Sequence, residues 1–277
     1  MIVEELWSDR HQAQARACAR MALVGDLCGA LSALEGASPE TAVGDRAELD
    51  RWGRELRRRS PRPERAREQA EALQRFLGEE LDFHGDADDY YAARNSHLHE
   101  VLTRRRGLPI LLSAIWLHVG SRAGFAVAGV GLPGHFVVRV GDRDSGALVD
   151  PFTGGRLLSL DDCKRLVREA SAGTVEWRDD HLEETPVDRI VERVLSNLAG
   201  AAVRRGDAGS LFRAFGFLVA LRPDDASYAV RRGDVAANLG AETVAAEIYE
   251  DVVRRFPGSP QARAAHDRRR KLAKLLN

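Results

Sequence analysis

Two short β-branched runs in the middle of the chain constrain its fold most strongly, because most of the sequence around them has helical periodicity. Residues 135–140 (HFVVRV) and 147–150 (ALVD) are separated by GDRDSG, a segment rich in turn-forming Gly, Asp and Ser. This arrangement predicts an antiparallel β-hairpin. A third run, residues 126–130 (AVAGV), precedes the hairpin across a Gly-Leu-Pro-Gly segment. The pattern therefore indicates an α+β protein with a small antiparallel sheet.

One apolar segment, residues 109–122 (PILLSAIWLHVGSR), lies directly before these strands. Pro109 is suited to the first position of a helix, and Gly124 to the position that follows its end. The segment is therefore predicted to be a single apolar helix packed in front of the sheet.

The first part of the chain is predicted to form a helical subdomain, residues 1–82. Apolar residues recur at helical spacing over residues 3–34, with a break near Gly25-Asp26. Ser38-Pro39-Glu40 has the pattern of a helix start, and Ser60-Pro61-Arg62-Pro63-Glu64 repeats it before a helix predicted over residues 65–77. Between these signals, RWGRELRRRS is interpreted as a solvated helix face. A nucleic-acid patch is the alternative, although acidic residues are interleaved with the basic ones.

After about residue 184 the pattern returns to helix and contains a candidate repeat. Pro223 and Pro257 are 34 residues apart, which is the period of the tetratricopeptide repeat. Counting back from Pro257 places Gly233, Ala245 and Tyr249 where such a repeat has two small residues and an aromatic one. The alternative is two ordinary helical hairpins whose prolines have this spacing by coincidence.

Composition excludes several classes of protein. The 277 residues include 41 basic and 42 acidic side chains, so no overall field attracts nucleic acid or anionic lipid. The three cysteines, Cys18, Cys28 and Cys163, form neither a disulfide framework nor a zinc motif. The N-terminus lacks the pattern of a signal peptide, and no segment has the apolar length of a membrane span. We therefore expect a cytoplasmic protein without a cofactor.

Four motifs occur in one order between residues 83 and 158 and carry a family resemblance. They are Asn95-Ser96, Arg106-Gly107-Leu108-Pro109, Pro133-Gly134-His135-Phe136 and Asp150-Pro151-Phe152. The chain resembles the transglutaminase-like domain of the SirB-type bacterial proteins, whose members often end in tetratricopeptide-like repeats. The resemblance implies a papain-type core at residues 83–183, followed by helical repeats at residues 184–277.

Active members of such families use a cysteine at a helix N-terminus, a histidine and a carboxylate that orients the histidine. Pairing the two hairpin strands around their turn places Asp150 opposite Val137 and diagonally next to His135. His135 and Asp150 are therefore the candidate catalytic pair, either vestigial or acting to orient a ligand. A structural hydrogen bond that closes the hairpin is the alternative.

The third catalytic group is missing from this sequence. Aligning Gly107-Leu108-Pro109 with the Gly-x-Cys that opens the catalytic helix places Pro109 at the nucleophile position, and proline cannot attack a carbonyl. Ser113 lies one helical turn further on and is a candidate nucleophile. Alternatively, its hydroxyl packs or bonds to a helix carbonyl.

Several residues near the motifs are candidates for ligand binding: Tyr91, Arg94, Asn95, His97 and Pro109. They could line the mouth of a cleft, with Tyr90 beside Tyr91, or they could anchor loops. His97 and His99 could also imitate a metal site together with the catalytic pair. The resemblance implies other polar residues at both positions, so no metal is expected.

These observations predict a non-catalytic binding or regulatory protein that takes a peptide or small ligand near His135 and Asp150. The repeats would bind a protein partner, and no membrane partner is expected. The alternative is a hydrolase or acyl-transferase that uses a non-cysteine nucleophile or an activated water. Nucleic-acid binding ranks third, because it depends only on two arginine runs, residues 104–106 and 268–270.

Overall fold

The computed structural model describes residues 5–60 and 65–275. The α-helices in these residues are α1 (Asp9–Leu23), α2 (Leu27–Glu35), α3 (Pro39–Arg59), α4 (Ala66–Leu73), α5 (Leu98–Arg104), α6 (Pro109–Ala123), α7 (Leu160–Ala170), α8 (Val187–Arg205), α9 (Ala208–Leu221), α10 (Ala226–Asn238), α11 (Glu242–Arg255) and α12 (Pro260–Leu275). The strands are β1 (His84–Gly85), β2 (Arg106–Gly107), β3 (Val127–Val130), β4 (Val137–Val140), β5 (Ala147–Asp150) and β6 (Arg156–Leu158). This mostly helical chain with small sheets agrees with the predicted α+β class. In the described part of the chain, no helix is long and apolar enough to cross a bilayer.

The main sheet is antiparallel, with the strand order β3-β4-β5-β6. Val138 pairs with Val149, and Val140 pairs with Ala147. These pairs have the register that the sequence predicted for the hairpin, so the next pair along is Val137 and Asp150. The sequence pattern did not predict β6 or the parallel β1-β2 pair, because strands of two or three residues show no alternating pattern.

Local signals define the predicted helix boundaries. Gly25 has a φ of +80° and separates α1 from α2, where the Asp26 carboxylate accepts a hydrogen bond from the Gly29 N–H. The Ser38 hydroxyl caps α3. Residues 61–64, on which the second predicted Ser-Pro cap depends, lie outside the described residues. The helix after them ends at Leu73 and continues as a π-helical turn, Gln74–Glu80.

The basic segment within α3 is more than a solvated face. Leu49, Trp52 and Leu56 are buried along one side of the helix, whereas residues 57–59 are exposed arginines. The spacing of the three apolar residues is that of one helix face. α3 is therefore an amphipathic helix that contributes to a core.

Contacts divide the chain into two compact units: residues 1–24 with 191–277, and residues 25–190. This division differs from the predicted segments 1–82, 83–183 and 184–277. The start of the chain folds with its end, because the Trp7 ring packs edge-to-face against Phe212 and Phe217. Residues 25–82 instead share a core with α6, in which the Phe83 ring lies between those of Trp52 and Trp116.

Within the unit of residues 1–24 and 191–277, α10 and α11 approach closely. A Cβ atom at Gly233 would lie 2.5 Å from the Tyr249 ring, so only glycine permits this distance. Tyr249 and Ala245 are buried, and the Tyr249 hydroxyl donates a hydrogen bond of 2.7 Å to Asp234. The three positions singled out by the 34-residue spacing thus lie in helices that pack against each other.

Candidate functional site

The structure contains the hydrogen bond that the hairpin register predicts. His135 Nε2 lies 2.9 Å from Asp150 Oδ1. The Asp150 side chain is 1% exposed and that of His135 is 12% exposed. The carboxylate is therefore held inside the protein, while one edge of the imidazole still reaches the surface.

Asp150 is fixed by the turn that follows β5. Its Oδ1 atom also accepts the Phe152 N–H at 3.0 Å, and its carbonyl accepts the Gly155 N–H at 2.8 Å. The first bond holds the side chain and the second holds the backbone, so Asp150 has little freedom. Asp150 can therefore hold the His135 ring in one orientation.

Aromatic rings form a wall beside His135. The Phe152 ring lies edge-on to His135 at 6.1 Å and to Tyr90 at 5.8 Å, and Tyr90 contacts Tyr91 at 5.1 Å. Gly85 makes room for this wall, because a Cβ atom there would lie 2.3 Å from the Phe152 ring. Phe152 was not among the site residues predicted from the sequence. The hairpin register could have indicated it, because two residues beyond Asp150 the register places Phe152 opposite His135.

The loop before α5 is anchored by Asn95. This residue is fully buried, and its amide donates to the Asp89 carbonyl at 2.7 Å and accepts from Arg104 at 2.9 Å. Arg94 forms an ion pair with Asp89 at 2.8 Å and is half exposed. Of the two interpretations of Asn95, the contacts favour loop anchoring, whereas the exposed Tyr91 side chain is accessible to a ligand.

α6 packs against the turn that carries Phe152, which is part of this aromatic wall. β2, which leads into α6, pairs with β1, and α6 contacts the turn Pro151–Thr153. Pro109 occupies the first position of the helix and is buried. The side chain at the position expected for a nucleophile therefore has no group that could attack a substrate.

Ser113 is fully buried one turn into α6. Among the described residues its hydroxyl oxygen has no hydrogen-bond partner. A nucleophilic serine needs a base within hydrogen-bond reach, and this arrangement does not provide one. The hydroxyl also lacks the helix-carbonyl bond that the sequence analysis considered.

The cysteines do not supply a reactive thiolate. Burial raises the pKa of Cys18 to about 12 and that of Cys28 to about 11. For Cys163, burial first, and then the nearby Asp162 and Asp150, raise the pKa to about 11. All three side chains are therefore protonated thiols at neutral pH.

Two further histidines lie near the motifs. His97 is the residue before α5, and His99 Nδ1 lies 2.9 Å from Asp45 Oδ1. Within the described ranges, no group of three or more His, Cys, Asp or Glu side chains is arranged to hold a metal. His99 instead belongs to a partly buried acidic cluster with Asp45 and Glu35.

The Glu35 cluster predicts a pH-dependent stability. The Glu35 carboxylate accepts the backbone N–H groups of Leu98 and His99. Burial raises its pKa from 4.5 to about 8, so between these values the folded state holds a proton that the unfolded chain releases. We expect the free energy of unfolding to fall by about 2 kcal/mol between pH 5 and pH 8, since the side chain remains partly solvated.

Urea unfolding at the two pH values and constant ionic strength measures this loss, and Glu35→Gln should remove most of it. Asp45 raises the pKa of His99, which contributes in the same direction, because its stabilisation is also lost as the pH rises. His99→Gln is therefore the matched variant that separates the two contributions. A stability that rises from pH 5 to pH 8 would contradict the assignment.

Taken together, the site has an oriented imidazole, a buried carboxylate and an aromatic wall. This arrangement can donate or accept a hydrogen bond at His135 and can pack against an apolar or flat group. Covalent catalysis would need a nucleophile; Pro109 has no nucleophilic group, and the Ser113 hydroxyl has no hydrogen-bond partner among the described residues.

Comparisons with known proteins match a large part of the chain. The family described as the Transglutaminase-like superfamily matches residues 45–196. A UPF0162 protein of Vibrio cholerae is 28% identical over 241 residues, which cover 84% of this chain and 87% of the relative. A UPF0162 protein of Xylella fastidiosa is 39% identical over 132 residues, 46% of each chain. The chain thus spans about half the length of this relative.

A protein of different length also matches part of the chain. F-box only protein 21 of Mus musculus is 30% identical over 148 residues, which cover 49% of this chain and 22% of the mouse protein. No solved structure matches the chain significantly.

Proposed function

The chain belongs to the transglutaminase-like superfamily, and from that premise we propose that it is a non-catalytic binding or regulatory protein. A peptide or small ligand binds beside His135 and Asp150, and the C-terminal helical hairpins hold a protein partner. The observation that carries the proposal is Pro109 at the first position of α6, where the papain-type arrangement needs a cysteine.

The remaining pair supports binding better than turnover. His135 is oriented by a buried carboxylate but has no thiolate to activate, because the three cysteines are protonated. The edge of its ring and the exposed Tyr91 side chain offer one hydrogen-bonding group beside one apolar surface. Such a combination suits a peptide segment or a small flat ligand.

The helical hairpins support the second half of the proposal. We interpret α10 and α11 as a tetratricopeptide-like unit, because Gly233, Ala245 and Tyr249 are at its close approach. A groove of about 460 Å³ lies among α8, α9 and α10 and is lined by apolar side chains such as Val203 and Phe215. A protein partner would bind along this face. The mouse relative, an F-box only protein, supports the view that the shared segment works inside larger proteins.

The alternative is a hydrolase or acyl-transferase at the same site. The bond between His135 and Asp150 favours it, since an oriented imidazole is the general base of such enzymes. The nucleophile would be a water held by His135 or the hydroxyl of Ser113. The absence of a base at the Ser113 hydroxyl makes the serine route the weaker of the two.

The proposal predicts that the purified chain has no thiol-dependent activity. With a glutamine-containing peptide and a primary amine, we expect no transamidation and no release of ammonia above background, with or without iodoacetamide. An active papain-type enzyme assayed in parallel is the control. Turnover that iodoacetamide abolishes would show a cysteine enzyme and overturn the proposal, and turnover that is lost in Ser113→Ala would establish the serine route of the enzyme alternative.

Binding is tested separately on the full chain. Native mass spectrometry should reveal a peptide or metabolite that co-purifies with the protein, and His135→Ala should lower its occupancy about tenfold. Arg57→Ala, a change at an exposed residue of α3, is the control. Equal occupancy in the two variants would show that the ligand does not bind at His135.

A further inference from the structure

A second cavity lies within the unit of residues 25–190, away from the pair already described. It has a volume of about 370 Å³, and neither His135 nor Asp150 is among its lining residues. Its walls are formed by α2, α3, the second half of α6, the edge strand β3 and residues 184–190. The volume is in the range of small-molecule sites in proteins, roughly 300–1,000 Å³.

Most of the cavity wall is apolar. Aliphatic side chains from five parts of the unit converge on it: Leu27, Leu31, Leu49, Leu117, Val127 and Ile190. A ligand with an apolar body would gain the hydrophobic contribution of about 25 cal/mol for each Å² of its surface buried there.

Two arginines line the cavity. Arg46 forms an ion pair with Asp26, and Arg122 Nε lies 2.9 Å from Asp50 Oδ1. Asp26, and with a smaller effect Asp50, raise the pKa of Arg46. Arg46 lies on α3 and Arg122 on α6, two helices that pack against each other along the cavity.

These arginines retain donors for a ligand, whereas the nearby acids are occupied. A guanidinium has five N–H donors, and each arginine directs one of them to its acid. Their side chains are 43% and 51% exposed. Asp26 also caps α2, and Asp50 Oδ1 also lies 2.9 Å from His118 Nε2.

The other polar groups of the cavity do not indicate chemistry. Glu184 is exposed, so solvent screens its charge. Cys28 faces the cavity, but its raised pKa of about 11 keeps the thiol protonated. The cavity is therefore suited to binding and lacks a nucleophile.

We propose that this cavity binds a small carboxylic acid with an apolar body. The carboxylate binds to the guanidinium groups of Arg46 and Arg122, since a planar guanidinium can donate two parallel hydrogen bonds, and the apolar body packs against the leucines. This site goes beyond the proposed function, because it uses no residue of the His135 site.

Isothermal titration calorimetry on the full chain tests the proposal with octanoate as the probe. Octan-1-ol and octylamine have the same apolar chain without the negative charge. We expect octanoate to bind about tenfold more tightly than either of them. An absence of octanoate binding, or equal or tighter binding of octylamine, would overturn the proposal.

Two pairs of variants locate the site. Arg122→Gln should weaken octanoate binding about tenfold. Arg57→Gln, which removes an exposed arginine that does not line the cavity, should leave binding unchanged. Ser121→Trp places a large ring at an exposed lining position and should abolish binding, whereas Ser121→Ala should not.

Thermal unfolding of each variant establishes that it is folded before titration. Because Ser121 is exposed, the tryptophan variant does not depend on repacking of the core. Equal affinities for Arg122→Gln and Arg57→Gln, or full binding by Ser121→Trp, would show that octanoate binds elsewhere and would overturn the assignment.

Discussion

Replacing Trp7 with alanine should destabilise the unit of residues 1–24 and 191–277 by about 3–4 kcal/mol. The Trp7 ring contacts Phe212 and Phe217 edge-to-face, and the Arg232 guanidinium lies 4.4 Å from its centroid. The substitution removes an apolar contact and also a cation–π partner of an arginine whose pKa burial lowers to about 10. Urea unfolding followed by circular dichroism measures the loss.

Leu23→Ala is the matched control for the Trp7 substitution. Leu23 lies in the same N-terminal segment, but it is 67% exposed, so its truncation should change stability by less than about 0.5 kcal/mol. Equal effects of the two substitutions would contradict the packing of the chain start onto α9 and α10.

The elements that the sequence predicts are those specified by neighbouring residues. The hairpin follows from β-branched runs around a turn, and α6 follows from Pro109 and Gly124 at its two ends. The break between α1 and α2 follows from Gly25. In each case the residues that decide the structure lie within a few positions of it, so no long-range contact has to be known.

The division into units is not a local property. Nothing near Trp7 in the sequence indicates that Phe212 and Phe217, about two hundred positions later, will be its neighbours. The charged stretch of α3 presents the same difficulty, because Trp52 becomes a core residue only when Phe83 packs against it. The predicted segment boundaries, drawn from helical periodicity and the family resemblance, therefore separate residues that the fold brings together.

Only those contacts of the candidate site that neighbouring residues specify could be predicted. Hairpin register alone brings His135 next to Asp150. The burial of Asn95 depends on Asp89 and Arg104, whose positions follow from the folded loop and α5. The cavity within residues 25–190 could not be predicted, because Arg46 and Arg122 line one cavity only through the packing of α3 against α6.

Asp150→Ala should destabilise the unit of residues 25–190 by about 3 kcal/mol. The carboxylate is 1% exposed, and its Oδ1 atom accepts hydrogen bonds from both His135 and the Phe152 N–H. Alanine removes this acceptor from two donors at once. Asp150→Asn should cost less, about 1 kcal/mol, because the amide oxygen can still accept from Phe152. Urea unfolding of both variants measures the difference.

A double-mutant cycle with His135→Ala then isolates the contact between the two side chains. If Asp150 holds the imidazole, the coupling free energy should be about 1–3 kcal/mol, since the effects of substituting two hydrogen-bonded residues are not additive.

The cycle also separates the two roles proposed for the pair. If the hydrogen bond only closes the hairpin, the coupling free energy of unfolding should be large and the occupancy of a co-purified ligand should not change. If Asp150 instead orients His135 for binding, Asp150→Asn should lower ligand occupancy by more than the fraction of protein that the substitution unfolds. A coupling below about 0.5 kcal/mol would contradict both roles, because Asp150 would then not act on His135 at all.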